Sequence, residues 1–316
     1  MPGRAAAVDE FAAIARYFTG LGPSRPDVTT GVGDDAAVLA PPAGQALLLT
    51  TDTLVSGRHF PEAGFPPEAL GHRALAVNLS DIAAMAGEPA WALLSLTLPG
   101  ADEAWLDEFA AGFGALARRT EVALVGGNLA SGPLSVTVTL AGFVPAGEAL
   151  LRSGARAGDA LFVTGALGGG ASGLRAFQAG VGIGAPAVAA FARPEPRVRA
   201  GRILSHYARA AIDVSDGLVG DLGKLLAASG GLGADLEADA IPLAAGACLD
   251  DALGPSDDYE LLLSVPADAA GAVADLTPER LGCTLRRIGT VRESAGIRLD
   301  GRPIPSEAEL GFRHFR

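Results

Sequence analysis

The sequence predicts a mixed α/β (α+β) chain of two domains, on three observations. Apolar runs of strand length alternate with segments of helical period, but without the strict β-α-β order of a doubly wound sheet. A polar, glycine-containing connection at 145–156 interrupts the pattern near the middle, which sets domains at 1–148 and 149–316. At 316 residues and 49% apolar content, the chain can bury two cores of ordinary size.

In the first half, Phe11, Ile14, Ala15 and Phe18 recur at helical spacing and predict a helix over 10–21, ended by Gly22 and Pro23. Gly31 and Gly33 precede Asp34 and Asp35, and the apolar residues 36–39 then read as a buried strand. A turn at 41–44 leads to a second strand over 46–51, so the two read as a hairpin-like pair with Asp52 at its end. The Ala- and Leu-rich segment 67–86 predicts a helix that Pro66 and Pro67 start. Residues 90–98 predict a strand, 102–119 an amphipathic helix, and 122–126 and 134–144 two further strands.

In the second half, a strand over 160–164 runs into Gly165–Gly170 and a helix over 172–179. A long loop to Pro196 precedes a helix over 197–207. The strand 211–214 ends at Ser215-Asp216-Gly217, and a helix over 218–229 follows. Strands over 234–238, 259–265 and 285–291 and a helix over 267–276 complete the domain.

Composition excludes several classes of function. A net charge of −12 with no basic stripe argues against nucleic-acid binding. No apolar run reaches the roughly 18 residues of a membrane span. Residues 1–10 lack the apolar core of a signal peptide, so a cytoplasmic protein is expected. Cys248 and Cys283 show no metal-ligand spacing and suit a reducing compartment, with a single disulfide between them as the alternative.

The chemistry sits in carboxylates. Asp34 and Asp35 repel each other unless a cation or proton lies between them, although a solvated Asp-Asp turn is the plainer alternative. Asp-bearing element ends recur at Asp52, Asp81, Asp213, Asp216 and Asp257-Asp258. Repeated carboxylates without nearby cations suit Mg²⁺ with a polyphosphate, because hard cations take oxygen ligands. Asp81 lies inside an apolar helical run, where a cap has no use; Asp216, before Gly217 and a helix, reads equally as an N-cap. Gly165–Gly170 could offer N–H groups to phosphate, but it lacks the Gly-Lys-Ser/Thr ending of a P-loop and reads better as a structural turn. Arg58, Arg152 and Arg156 are either solvated or clamps on phosphate, and His59 either lies at the surface or meets a substrate phosphate. No Ser-His-Asp or Cys-His arrangement favours a covalent nucleophile.

Taken together, G-V-G-D-D-A-A-V-L, T-T-D-T-L-V-S-G-R-H-F, A-L-A-V-N-L-S-D-I-A-A-M, R-S-G-A-R-A-G-D, A-I-D-V-S-D-G-L, D-D-Y-E-L and the terminal G-F-R-H-F resemble the thiamine-monophosphate kinase family. Its superfamily includes aminoimidazole ribonucleotide synthetase and selenophosphate synthetase. The resemblance implies the two-domain fold of that superfamily and a homodimer whose N-terminal strands form a barrel. It implies direct transfer of the ATP γ-phosphoryl group to thiamine phosphate. It implies several Mg²⁺ ions on Asp35, Thr51, Asp52, Asp81, Asp213 and Asp216, and ATP on Gly127, Asn128, Arg152 and Ser215. His59, Asp257 and Phe312 are then expected near thiamine phosphate. Where the family usually reads Gly-Gly-Asp-Thr-Thr this chain has Gly126-Gly127-Asn128-Leu129-Ala130, and Asn keeps a carbonyl oxygen without the charge. Pro255-Ser256 stands where two glycines are usual, which stiffens that loop. The competing readings are a related ATP-dependent synthetase acting on another small substrate, and a nucleotide-binding regulator without catalysis.

Overall fold

The computed structural model describes residues 9–304. Within them, the residues up to Ile82 together with Glu88–Gly147 form one compact unit. Ala83–Gly87 and the residues from Glu148 onward form the other.

The first unit opens with helix α1 (Glu10–Ala13), capped by the Asp9 carboxylate and continued by a π-helical turn, Ile14–Phe18. The short strands β1 (Val28–Thr30) and β2 (Val38–Leu39) pair with each other. Strand β3 (Gln45–Val55), helix α2 (Pro67–Ala84), strand β4 (Glu88–Leu98), helix α3 (Glu103–Arg119) and strands β5 (Ala123–Ser131) and β6 (Ser135–Pro145) follow. The four long strands form a sheet in the order β3-β6-β4-β5, antiparallel except for the parallel pair β4–β5.

The expected hairpin of residues 36–39 with 46–51 does not form. Residues 38–39 pair with β1, and β3 pairs with β6 along its whole length, from Gln45↔Pro145 to Val55↔Ser135. Asp52 therefore lies inside a strand and not at its end. The Thr-Asp-Thr run continues the strand because Thr51 and Thr53 meet Thr139 and Thr137 across the ladder, with hydroxyls 3.0 and 2.8 Å apart.

Strand alternation gives this sheet two unlike faces. One row reads Asp52–Val138–Leu94–Gly127 and its neighbour reads Thr53–Thr137–Ser95–Asn128. On the first face Leu48, Leu54, Val136, Val138, Leu140, Leu94 and Leu96 are buried. On the second, the β1–β2 pair covers Trp91, Ala141 and Phe143, and Trp91 Nε1 donates to Asp27 at 3.1 Å. Leu47, Leu49 and Leu93 on that same face remain exposed, Leu49 to 66%. Helix α2 is buried all round from Arg73 to Ser80, which explains its apolar run.

The second unit contains β7 (Ala160–Thr164), α4 (Gly169–Gln178), α5 (Pro186–Ala192), α6 (Val198–Leu204), β8 (Ala210–Val214), α7 (Leu218–Ala228) and β9 (Gly233–Leu236). After these come α8 (Leu249–Leu253), β10 (Glu260–Val265), α9 (Ala270–Ala274), α10 (Pro278–Leu281), β11 (Leu285–Arg292), β12 (Gly296–Leu299) and β13 (Arg302–Pro303). Its seven-stranded sheet runs β13-β12-β9-β11-β7-β10-β8, antiparallel except for β9–β12. Strands β7, β8 and β10 are buried on both faces. Leu161, Val163 and Leu262 pack into a core with α7, while Phe162, Leu261 and Leu263 pack into another with α6, α9 and α10. Helix α5 stands where the sequence predicts loop, and α8 and α10 where it predicts no element. All are short, and a stretch of one or two turns carries too little periodicity to read.

Candidate active site

In the first unit, Phe11, Ile14 and Phe18 from the N-terminal helical turns face Leu94, Leu96, Leu124 and Leu129 of β4 and β5. The loop Val32–Asp35 and the strand segment Gly126-Gly127-Asn128 complete the lining of a cavity of about 360 Å³. It is an apolar chamber with Asp34 and Asp35 exposed at its border. The Asp35 N–H donates to Asp34 Oδ1 at 2.8 Å, so the two acids form one tight turn.

Gly127 sits beside Leu94 after a bulge. Ala92 pairs with Leu124 but Leu93 pairs with Gly126, which leaves Val125 extra. At Gly127 φ is +154°, and a Cβ would stand 1.8 Å from the Leu94 carbonyl oxygen, so only glycine allows this approach. Asn128 is exposed and keeps register with Ser95, in the row of Thr53 and not in that of Asp52.

Asp81, half-buried on α2, accepts a 2.5 Å hydrogen bond from Thr50 Oγ1. Thr50 and Asp52 share one face of β3, and Thr51 points to the other. Thr51 Oγ1 donates to the Val138 carbonyl at 3.2 Å and meets Thr139 Oγ1. Thr50, which sequence reasoning passed over, is thus the threonine that touches the Asp81 carboxylate. Its signal was the two-residue period: Thr50, and not Thr51, has the parity of Asp52. His59 lies in the turn after β3, where Nδ1 accepts the Val55 N–H at 3.0 Å. The hydrogen of the neutral ring is therefore on Nε2.

In the second unit, Asp213 is buried in β8 opposite Leu261. Ser215 and Asp216 follow at the strand end. Asp216 is not the N-cap of α7, which is Gly217. Asp216 instead receives Lys224 Nζ at 2.5 Å. The buried Asp221 accepts the N–H groups of Ser215 and Asp216 at 2.9 and 2.8 Å and pairs with the same lysine. Burial opposes the Lys224 charge, but hydrogen bonds to Asp216 and Asp221 outweigh it and raise the lysine pKa. Sequence reasoning missed this knot; its signal was an acid and a lysine three residues apart on the helix after Asp216. Arg152 is exposed, and its carbonyl accepts Ser229 Oγ at 3.3 Å. Phe312 lies outside the described residues.

The Gly165–Gly170 turn is structural. The Gly168 and Gly170 N–H groups, which could cradle a phosphate, donate to the Asp258 carboxylate at 2.7 and 3.1 Å. Next to it, Glu260 accepts Arg197 through two nitrogens at 2.6 and 2.5 Å and Thr164 Oγ1 at 2.7 Å. Asp258 and Glu260 are further residues that sequence reasoning left without a role.

Burial pushes the Asp258 carboxyl up to about 6, against hydrogen bonds from Ser256, Gly168 and Gly170. The folded value exceeds the unfolded one, so the stabilising contribution is fully present below the unfolded value and is lost as pH rises through about 6. For such a shift the contribution is about 1 kcal/mol larger at pH 5 than at pH 7. Urea unfolding should therefore find the wild type gaining about that much on an Asp258→Asn variant between pH 7 and pH 5. A difference that does not vary with pH would refute the assignment.

Among the described residues, no three His, Cys, Asp or Glu side chains form a metal-holding group. The donors present are single or paired carboxylates and hydroxyls. That chemistry fits Mg²⁺, which is usually held by one or two carboxylates with phosphate and water completing its shell.

Known proteins give the arrangement its class. Residues 33–144 match the AIR synthase related protein N-terminal domain, and residues 156–302 match the C-terminal domain of the same proteins. A thiamine-monophosphate kinase of Salmonella typhimurium is 42% identical over 98% of this chain and 99% of its own length. The crystal structure of thiamine-monophosphate kinase from Stenotrophomonas maltophilia is 41% identical, with a TM-score of 0.83 over 89% of this chain and 93% of that one. AaThiL complexed with AMPPCP and TMP is 31% identical, with a TM-score of 0.76 over 91% and 93%. The chain belongs to the thiamine-monophosphate kinase family of AIR synthase related proteins.

Proposed function

We propose that this chain transfers the γ-phosphoryl group of ATP to thiamine phosphate, giving thiamine diphosphate and ADP. The observation that carries the reading is kinship with thiamine-monophosphate kinases along nearly the whole chain. In the transfer an oxygen of the thiamine phosphate attacks the γ-phosphorus, and the bond from that phosphorus to the β–γ bridging oxygen breaks. No protein nucleophile is needed, so the chain's work is positioning and the management of charge.

Each domain has its own part. Residues 1–148 bind ATP and Mg²⁺ and form the dimer contact, with Gly127 and Asn128 against the nucleotide. Asp35, Thr51, Asp52 and Asp81 hold Mg²⁺, the Thr51 hydroxyl lying on the face opposite Asp52 and donating to the Val138 carbonyl. His59 presents Nε2–H to the substrate phosphate. In residues 149–316, Asp213 and Asp216 hold Mg²⁺, Arg152 and Ser215 contact ATP, and Asp257 and Phe312 contact thiamine phosphate. Bound magnesium neutralises phosphate charge. Among the described residues no helix is long and apolar enough to cross a membrane, and we place the reaction in the cytoplasm. A coupled assay should record ADP release that depends on thiamine phosphate and a divalent cation. No release with thiamine phosphate present would overturn the reading.

We also propose a homodimer joined through the exposed sheet face. Leu47, Leu49 and Leu93 stand there beside the covered Trp91 and Phe143, and a contiguous apolar patch of this kind marks an interface. Light scattering should give a dimeric mass at micromolar concentration. A variant with both Leu49→Glu and Leu93→Glu should be monomeric. A monomeric wild type would refute the proposal.

A further inference from the structure

We propose that Asp258 is the positioning residue for Asp257: its carboxylate clamps the 254–259 loop onto the first turn of α4 and so fixes the backbone on which Asp257 stands. The inference rests on the reading of Asp257 as a thiamine-phosphate contact.

Three bonds converge on one buried carboxylate. Asp258 Oδ2 accepts the Gly168 N–H at 2.7 Å and the Ser256 hydroxyl at 2.6 Å, and Oδ1 accepts the Gly170 N–H at 3.1 Å. Charge-assisted bonds of this kind are stronger than neutral ones. The approach is close: a Cβ on Gly170 would stand 1.8 Å from the Ser256 carbonyl oxygen.

The residues on either side of Asp258 are strained. Asp257 has φ +53° and Tyr259 has φ +55°, both left-handed and neither glycine. Such residues are costly and persist only where the surroundings over-determine them. Here the surroundings do so from two sides. The Asp257 N–H donates to the Ser215 carbonyl at 3.1 Å, and the Tyr259 N–H to the Val214 carbonyl at 2.7 Å. The Asp258 carboxylate pins the middle from the α4 side. Without that pin, Asp257 can leave its left-handed conformation, and its carboxylate, which accepts the Tyr259 hydroxyl at 3.5 Å, moves with it. The stiff Pro255-Ser256 pair supports the same end, since Ser256 supplies one of the three donors.

The test compares steady-state kinetics of the full-length wild type, Asp257→Asn, Asp258→Asn and the double variant. In Asp258→Asn an amide NH₂ faces a backbone N–H, so at least one clamp bond is lost. The Michaelis constant for thiamine phosphate should rise at least tenfold, while that for ATP stays within twofold. A positioning residue acts through the group it positions, so the double variant should be no worse than Asp257→Asn alone. Multiplying effects, or an equal rise for both substrates, would make Asp258 merely structural and overturn the proposal. An Asp257→Asn variant with an unchanged constant would overturn the reading of Asp257, and the proposal with it. If Asp258→Asn does not fold, Ser256→Ala removes one donor only. It should raise the thiamine phosphate constant about threefold, and no change would count against the clamp.

Discussion

Asp81→Asn should lower turnover at least a hundredfold while leaving the fold intact. The asparagine carbonyl can still accept the 2.5 Å bond from Thr50 Oγ1, and the side chain keeps its volume on a helix whose preceding turns are fully buried. The charge is lost, and one acceptor oxygen becomes an NH₂ donor. A hundredfold loss corresponds to about 2.7 kcal/mol of transition-state stabilisation. At an effective dielectric near 20, one unit charge a few ångströms from a cation accounts for that much. The measurement is turnover at saturating and at limiting magnesium, with thermal unfolding as the control for folding. Normal turnover at limiting magnesium would remove Asp81 from the metal set.

Much of the scaffold was legible because burial writes itself into hydrophobicity. Strands β4, β7, β8 and β10 and helices α2 and α3 all bury apolar surface along most of their length, and their sequence patterns follow. What could not be read was pairing. The expected hairpin pairs residues 36–39 with 46–51, and the chain instead joins β3 to β6, whose partners run from Val55↔Ser135 to Gln45↔Pro145. No property of either strand alone names its partner, since register depends on which apolar faces meet. The polar Thr-Asp-Thr run looked like the end of a strand, because its partner threonines on β6 are far away in sequence.

The acidic residues were legible as a set and less so one by one. Their number and recurrence carried the expectation of a cation with a phosphate, but the partner each one takes depends on neighbours that only folding supplies. Asp216 read equally as the cap of α7, but Gly217 is the cap, and Asp216 pairs with Lys224. Gly165–Gly170 could have been a phosphate cradle, and its N–H groups are taken by a carboxylate about 90 residues away. Thr51 was expected among the magnesium ligands by resemblance, and alternation places its hydroxyl on the face opposite Asp52. In each case the residue type was informative and the geometry decided its use.

Gly127→Ala should weaken Mg²⁺-ATP binding at least tenfold and destabilise the protein by about 2–4 kcal/mol, within the range of overpacking and backbone strain. The added methyl would lie 1.8 Å from the Leu94 carbonyl oxygen and 2.9 Å from its nitrogen. A Cβ has no rotamer with which to escape, so the backbone must move. β4 is held between β6 and β5, whereas β5 is the edge strand, so β5 moves. The pairing of Leu94 with Gly127 and of Ser95 with Asn128 then opens, and with it the wall formed by residues 126–129 around the cavity. Gly126→Ala is the control. Its methyl would meet only the Leu93 Cδ2 atom at 3.1 Å, the end of an exposed side chain that can turn away. That variant should lose less than about 1 kcal/mol, as expected where a flexible neighbour gives way. Calorimetric titration with Mg²⁺-ATP and urea unfolding of both variants decide the matter. If the two glycines tolerate alanine equally, close approach to Leu94 is not what requires Gly127.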